Sequence, residues 1–395
     1  MELNLDLLQT VGLAVVVYMI GDFIKRKIPI FQKYFIPAPV IGGLLFSVLL
    51  FIGYQTDTFY VAMDMTLQDF FMNIFFTTIG FTVSAAIIKE SGKLGAILAV
   101  VAVVFLVIQN LIGVGISELF GIHKLLGVAM GSTSMSGGVG SATAFGPTFE
   151  SLGAEGATTV GVAAATFGLF MGSIVGGPVA KRLIDKYNLR TAAEGSTTED
   201  TKEAEKATEA TEANLFRTVL LVVLTAALGT IISYLLNLTG LTFPYYVGCL
   251  FAGAIARNLA DANIIEIRIS EIDNVGSISL NFFLSMALMN LSIWTLLDLA
   301  GPMIAILIVQ TITIMIYTYF ITFKTMGKTY DAAVMAAGHC GVGMGQTPNA
   351  IANMSSVIEE HGPAPTAWFV LPVITVVFIN IFNPIIITLF INLFS

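Results

Sequence analysis

Two glycine-rich stretches carry the residues of this chain that are best suited to binding chemistry. The first tip, residues 131–143, reads GSTSMSGGVGSAT, and the second tip, residues 338–350, reads GHCGVGMGQTPNA. Each lies between apolar segments long enough to cross a bilayer. Non-helical backbone at that depth persists only where it is buried in protein or lines a wet cavity. Interruptions paired across two halves of a chain are typical of the central site of membrane transporters.

The backbone and side chains of the tips suit a small anion. Glycine lets a ligand approach the backbone, and a helix that starts there exposes N–H groups at its positive end. Neither tip contains Lys or Arg, and a fixed charge at bilayer depth costs at least about 2.5 kcal/mol on insertion scales. We therefore expect dipoles and a co-bound cation to hold the anion. The predicted substrate-binding residues are Ser132, Thr133, Ser134, Ser136, Gly137, Gly138, Gly140, Ser141, Gly343, Gly345, Gln346, Thr347 and Asn349.

Oxygen-bearing groups near the tips could hold that cation. Pro348 has no backbone N–H, which frees preceding carbonyls for other partners. Freed carbonyls with hydroxyl and amide oxygens suit Na⁺. For Asn290 and Asn380 an interhelical hydrogen bond is the alternative role. The Na⁺ candidates are Ser136, Thr143, Asn290, Thr347, Asn353 and Asn380.

The composition indicates a polytopic helical membrane protein. Of its 395 residues, 56% are hydrophobic and 11% are charged, whereas soluble domains average about 25% charged residues. Its net charge of −8 does not support nucleic-acid binding. His339 and Cys340 are adjacent and point in different directions on a helix, with no third partner evident, so an enzyme is not expected. The predicted spans are 5–24, 37–53, 67–88, 94–120, 157–179, 215–236, 244–257, 275–297, 303–323 and 367–394.

The two interrupted stretches are predicted to be re-entrant hairpins, at residues 122–149 and 329–357. The alternative is a crossing helix that contains glycines, but Gly-Gly-x-Gly and Gln-Thr-Pro would break a helix. The expected fold is all-α, with two inverted-topology repeats of five transmembrane helices and one hairpin each. Residues 1–190 form the first repeat and residues 214–395 the second. Five crossings per repeat invert the second repeat, so the hairpins enter from opposite sides.

Lysine and arginine residues in the loops predict the orientation. With ten crossings and two hairpins, Lys124 alone of eighteen basic residues falls outside. Both termini are then expected to be periplasmic. Residues 191–213 carry seven acidic residues, two lysines and no aromatic residue. We expect this segment to be a disordered acidic linker on the cytoplasmic side.

The sequence also resembles the bacterial sodium/glutamate symporters. The motifs that carry the resemblance occur in order over nearly the whole chain apart from the linker. They are PAPVIGG at 37–43, FFTTIG at 75–80, SGGVG at 136–140, GGPVA at 176–180, SMALM at 285–289, MGKTYDAA at 326–333, AGHCGVGMG at 337–345 and TPNAIANM at 347–354.

The resemblance implies Na⁺-coupled uptake of L-glutamate across the bacterial inner membrane, with Na⁺ as the co-transported ion. It also implies a homodimer, a scaffold part at the dimer interface and an elevator-like movement of the part that carries the hairpins. A Na⁺-coupled carrier of another small dicarboxylate or hydroxy acid is the alternative. A membrane-embedded hydrolase and a channel are more distant rivals.

Overall fold

The computed structural model describes residues 2–56, 58–190, 212–240, 242–291 and 295–395, and these are mostly helical. Residues 191–211 of the predicted linker lie outside the described residues. The helices of the first half are α1 Leu7–Lys27, α2 Pro29–Lys33, α3 Ala38–Gln55, α4 Thr66–Gly80, α5 Ala85–Glu90, α6 Gly92–Leu119, α7 Lys124–Ala129, α8 Ser132–Met135, α9 Gly138–Ser151 and α10 Ala157–Tyr187. Those of the second half are α11 Glu212–Asn237, α12 Tyr246–Asp261, α13 Ile269–Met289, α14 Thr295–Tyr317, α15 Phe323–Thr325, α16 Tyr330–Met344, α17 Thr347–His361 and α18 Pro365–Phe394, with a π-helical turn at Thr318–Thr322.

Eight of the helical stretches within the described residues are long and apolar enough to cross a membrane. They correspond to eight of the ten predicted spans. The other two predicted spans form shorter helices, α3 and α12, which hold corresponding places in the two halves. The all-α membrane class is therefore confirmed, whereas the inverted repeats stay a prediction.

The start of α1 is set by a capping box. Asp6 Oδ1 accepts a hydrogen bond from the Gln9 backbone N–H, and Gln9 Oε1 accepts one from the Asp6 N–H. These bonds satisfy donors that have no partner inside the helix. The residues before Asp6 form a strand, β1 Glu2–Leu5, which pairs in parallel with β2 Tyr60–Met63. The hydropathy pattern did not predict this small sheet.

Each predicted hairpin is a set of helices whose two ends lie together. In the second half, Tyr330 at the start of α16 donates its hydroxyl to the Gly362 carbonyl just after α17, at 2.5 Å. At the other end, Gly341 packs directly against the backbone of Ala350. In the first half, His123 before α7 lies near Gly153 after α9. In both stretches the two ends lie near each other and the helices break at the glycine-rich tips, whereas their re-entrant course in a membrane stays a prediction.

The long helices form two packing groups. The scaffold group contains α1, α3, α4, α11, α12 and α13, and the tip group contains α6–α10, α14 and α16–α18. Glycines allow close approach within both groups, as at Gly80 of α4 against Leu250 of α12 and at Gly113 of α6 against Gly127 of α7. The groups touch each other where α9 meets α13 and where α18 meets α4. The space between them is where the first tip lies.

Glycines of α10 allow the helices of the second predicted hairpin to pack closely against α10. A Cβ on Gly168 would strike the Met344 carbonyl, and one on Gly176 would strike the Asn353 amide. Gly172 lies against Asn349 and Gly341. These three glycines thus allow close packing of helices, which is the usual role of small residues in membrane helices. At Gly177, nothing lies within 4 Å of an added Cβ.

Candidate binding site between the tips

The two tips meet at the side chain of Gln109, in the second half of α6. Its Nε2 donates to the Gly343 carbonyl of the second tip at 2.7 Å. Its Oε1 accepts from the Ser136 hydroxyl of the first tip at 2.6 Å. All three residues are buried, so a lost partner would leave an unsatisfied polar group. Gln109 therefore couples the position of one tip to that of the other.

Gly138 and Gln346 form a second contact between the tips. Gly138 has a φ of +69°, in the region that favours glycine, and it begins α9. A Cβ built on Gly138 would lie 2.6 Å from Gln346 Nε2. The amide of Gln346 therefore covers the backbone of the first tip. A side chain at Gly138 would displace that amide from this position.

A cavity of about 100 Å³ opens beside this contact, between the scaffold group and the tip group. The wall from the tip group carries the polar groups of the cavity beside the apolar residues Val139, Ile379 and Pro384. These polar groups belong to Ser141, Gln346, Asn380, Asn383 and the backbone of Gly137 and Gly140. The facing wall is apolar, with Phe75, Phe76, Ile79, Leu250, Leu280 and Leu284. The described residues that line the cavity include no Asp, Glu, Lys, Arg or His. Any charged ligand there must be held by dipoles or by other ions.

The helix α9 begins at this cavity, at Gly138, without a side-chain cap. Gln346, which precedes the start of α17 at Thr347, also lines the cavity. The first turn of α9 contributes Val139, Gly140 and Ser141 to the cavity lining. Uncapped N–H groups at the positive end of a helix dipole favour an anion. The first tip can therefore receive a carboxylate without a basic side chain.

Three buried oxygen atoms lie around one turn of the first tip without a hydrogen-bond partner. They are Ser132 Oγ, Thr133 Oγ1 and Asn383 Oδ1. Asn383 Nδ2 donates to the Ser132 carbonyl at 3.0 Å, and Asn110 Oδ1 accepts from the Ser132 N–H at 2.8 Å, so both amide side chains reach the Ser132 backbone. Asn110 Nδ2 also lacks a partner. Unpaired buried polar groups cost about 1–3 kcal/mol each, and hydroxyl and amide oxygens are ligands of the kind that hard cations prefer.

Comparison with known proteins decides the family. The family model for the sodium/glutamate symporter matches residues 3–363. The chain belongs to the sodium/glutamate symporter family. It is 38% identical to the sodium/glutamate symporter of Escherichia coli over 394 residues, covering 99% of this chain and 98% of that protein. It is 35% identical to the sodium/glutamate symporter of Haemophilus influenzae over 382 residues, covering 95% and 94%.

Within this sodium/glutamate symporter family member, the predicted residues fall into two sets. Those at the cavity or at the contact between the tips are Gly137, Gly138, Gly140, Ser141, Gln346, Asn380, Ser136 and Gly343. Ser132 and Thr133 carry the unpaired hydroxyls. Thr347 is half-buried as the first residue of α17. The structure thus brings most of these predicted residues to one place.

The second set secures the tips rather than facing the cavity. Ser134 donates to the Gly161 carbonyl at 2.7 Å. Asn349 and Asn353 donate to carbonyls of α10, those of Leu169 and Gly172, at 2.7 Å each. Three more predicted residues are also absent from the cavity lining. Thr143 bonds to carbonyls of its own helix, Gly345 lies against the Asn349 amide, and Asn290 is exposed at the end of α13.

The sequence interpretation missed Gln109 and Asn110, and it did not include Asn383 among the candidate site residues. A signal was present, because two adjacent amides interrupt the apolar run of α6. Polar residues inside membrane spans are rare and tend to be functional. Which tip they would reach depends on helix rotation and long-range packing, neither of which the local pattern contains.

Proposed function

We propose that this protein is a secondary active transporter that couples L-glutamate uptake to Na⁺. The observation that carries the proposal is the uncharged cavity beside the contact between the tips, with polar groups on the tip side that include the uncapped start of α9. The family supports the choice of ligands, because its relatives are named sodium/glutamate symporters. In this proposal glutamate lies between the polar wall of the tip group and the apolar wall of the scaffold group.

Glutamate would be held by complementary dipoles. Its carboxylates would accept from the first-turn N–H groups of α9, from the Ser141 hydroxyl and from the amide of Gln346. Its ammonium would donate to the amide oxygen of Asn380, which lines the same cavity. The apolar wall would exclude water and strengthen each of these interactions. No ion pair with the protein is required.

Na⁺ would be bound at the turn around Ser132. The unpaired oxygens of Ser132, Thr133 and Asn383 are the available ligands there, and Asn383 also borders the substrate cavity. A cation at this turn would lower the cost of placing an acidic solute next to it. Binding of the ion and of glutamate would then be mutually dependent. Two Na⁺ ligands predicted from the sequence remain part of the proposal. Ser136 lies in the first tip, and Asn380 lines the cavity beside it.

Replacing Ser132 by alanine tests this ion site. Because the Ser132 hydroxyl has no protein partner, its loss should not lower thermal stability. We expect the Na⁺ concentration for half-maximal uptake to rise about tenfold, equivalent to roughly 1.4 kcal/mol. Ser117→Ala is the matched control, since Ser117 carries another buried, unpaired hydroxyl on α6. Equal Na⁺ dependence in both variants would remove Ser132 from the site.

Alternating access would arise from movement of the tip group past the scaffold group. The proposal includes the inverted repeats, the re-entrant hairpins and an elevator-like movement of the tip group. The homodimer and the inner-membrane orientation with both termini periplasmic belong to it as well. Two packing groups separated by the cavity are what such a movement requires.

Uptake into proteoliposomes tests the function as a whole. We expect saturable uptake of labelled L-glutamate that needs an inward Na⁺ gradient. Glutamate is a monovalent anion at neutral pH, so more than one Na⁺ per cycle moves net positive charge inward. An inside-negative potential should then stimulate uptake, by about 2.3 kcal/mol per 100 mV for one net charge.

Competition identifies the substrate in the same assay. Unlabelled glutamate should displace the label far better than aspartate, malate or citrate. Preferential displacement by malate or citrate would instead establish a carrier for another dicarboxylate or hydroxy acid. Flux that does not saturate would indicate a channel, and uptake that ignores Na⁺ would refute the coupling.

A further inference from the structure

A large groove, separate from the cavity that Gln346 lines, lies at the C-terminal end of α10. Its volume is about 990 Å³, and it separates α10 from the end of α14 and the π-helical turn. The α10 side carries Lys181, Arg182 and Lys186. The facing side carries Met315, Tyr319 and other apolar or aromatic residues. The groove is therefore basic on one wall and apolar on the other.

Within the described residues, the basic wall carries more positive than negative side chains. Lys181 forms an ion pair with Glu360 at 3.2 Å, in which both side chains are more than half exposed. Arg182 and Lys186 make no ion pair with any other described residue. Asp185 is the one acidic residue on the groove wall. An anionic group placed there would meet a net positive field.

The groove lies at the depth of lipid headgroups. The 31 residues of α10 span about 46 Å at 1.5 Å per residue, whereas the hydrocarbon core is about 30 Å thick. The last two turns, which hold the basic residues, therefore extend beyond the core. Lys186 lies 5.5 Å from the rings of both Tyr187 and Tyr319. Aromatic residues beside basic ones are typical of the membrane–water boundary.

The π-helical turn gives the groove its apolar wall. Thr318 contacts Cys340 Sγ at 3.1 Å and Thr322 contacts His339 Nδ1 at 2.9 Å, so these two residues face α16. Phe320, between them, is 50% exposed on the groove side, and Ile316 one turn earlier is 54% exposed. Acyl chains would cover these side chains and water would not. The turn that shapes the groove also packs directly on the second hairpin.

We propose that this groove binds the headgroup of an anionic phospholipid. The phosphate would lie against Arg182 and Lys186, and the first acyl segments would lie against Ile316 and Phe320. Basic pockets between membrane helices are suited to such headgroups. A soluble phosphate shares the charge but would leave the apolar wall uncovered, so the groove favours a lipid. This inference does not depend on what the cavity between the tips transports.

Lipid retention measured by native mass spectrometry tests the proposal. The protein is purified in detergent, loaded with phosphatidylglycerol or with phosphatidylcholine, and compared with the double variant Arg182→Gln, Lys186→Gln. We expect phosphatidylglycerol to be retained preferentially, and its affinity to fall more than tenfold in the double variant. Each lost charge near the surface is expected to weaken binding about fivefold.

The matched control is the double variant Lys89→Gln, Lys93→Gln. It removes two basic residues from α5 and α6 that do not line the groove, and it should retain phosphatidylglycerol as the parent does. Equal retention of phosphatidylcholine, or equal loss in both double variants, would overturn the proposal. So would complete displacement by inorganic phosphate, which would establish a site for a soluble anion. Retention that appears only when the acidic residues of 191–213 are neutralised would make that segment the occupant instead.

Discussion

Replacing Gln109 by leucine is expected to reduce glutamate kcat/KM about thirtyfold, equivalent to roughly 2 kcal/mol. The change removes the donor to the Gly343 carbonyl and the acceptor for the Ser136 hydroxyl, which are 2.7 and 2.6 Å from it. The Gly343 carbonyl and the Ser136 hydroxyl would each lose a buried partner, at about 1–3 kcal/mol each, and would keep only their direct 3.4 Å hydrogen bond to each other. Because these bonds join the two tips, the loss should fall on substrate binding. Initial uptake rates in proteoliposomes, at several glutamate concentrations, measure the effect.

Gln310→Leu is the control for Gln109→Leu. Gln310 is also a fully buried amide, and it donates to the backbone carbonyl of Gln109 at 2.7 Å rather than to a group of either tip. Its loss should change kcat/KM less than about threefold, a difference below 1 kcal/mol. If Gln310→Leu were as impaired as Gln109→Leu, the cause would be general loss of buried hydrogen bonding in the tip group. Normal uptake by Gln109→Leu would exclude Gln109 as the link between the tips.

Replacing Gly140 by valine is expected to abolish measurable uptake while the protein still folds. A Cβ at this position would lie 3.5 Å from Phe75 and 3.9 Å from Leu280, which are ordinary contact distances. The remaining carbons would extend into a cavity of only about 100 Å³. The substrate would then lose both its space and its access to the first-turn N–H groups of α9. Uptake is compared with the amount of monodisperse protein recovered from membranes.

Gly115→Val provides the comparison for Gly140→Val. Gly115 lies on an exposed face of α6, and nothing lies within 4 Å of a Cβ placed there. This variant carries the same change of backbone freedom inside a helix, without filling a cavity. It should transport normally. Substantial uptake by Gly140→Val would mean that the substrate binds elsewhere, whatever the outcome for Gly115→Val.

The sequence alone determined the class of the protein, most helix positions and the two places where helices break. Apolar runs report which segments are buried in lipid or protein, because the cost of exposing them to water is a local property of composition. The breaks at Gly138 and Gln346 follow from local chemistry as well. Glycine accepts a positive φ, and Pro348 in the second tip cannot continue the preceding helix. Motif order also sufficed to place the chain in its family.

Only the tertiary structure decided which groups face each other at the site. Gln109 reaches Gly343 across 234 positions of sequence, and Asn383 reaches Ser132 across 251. Such pairs depend on how each helix is rotated and on which helices share a packing group, and hydropathy constrains both weakly. Close glycine contacts set these rotations, as where α10 accepts the second hairpin. The cavity and its unpaired oxygens are therefore consequences of packing between distant segments.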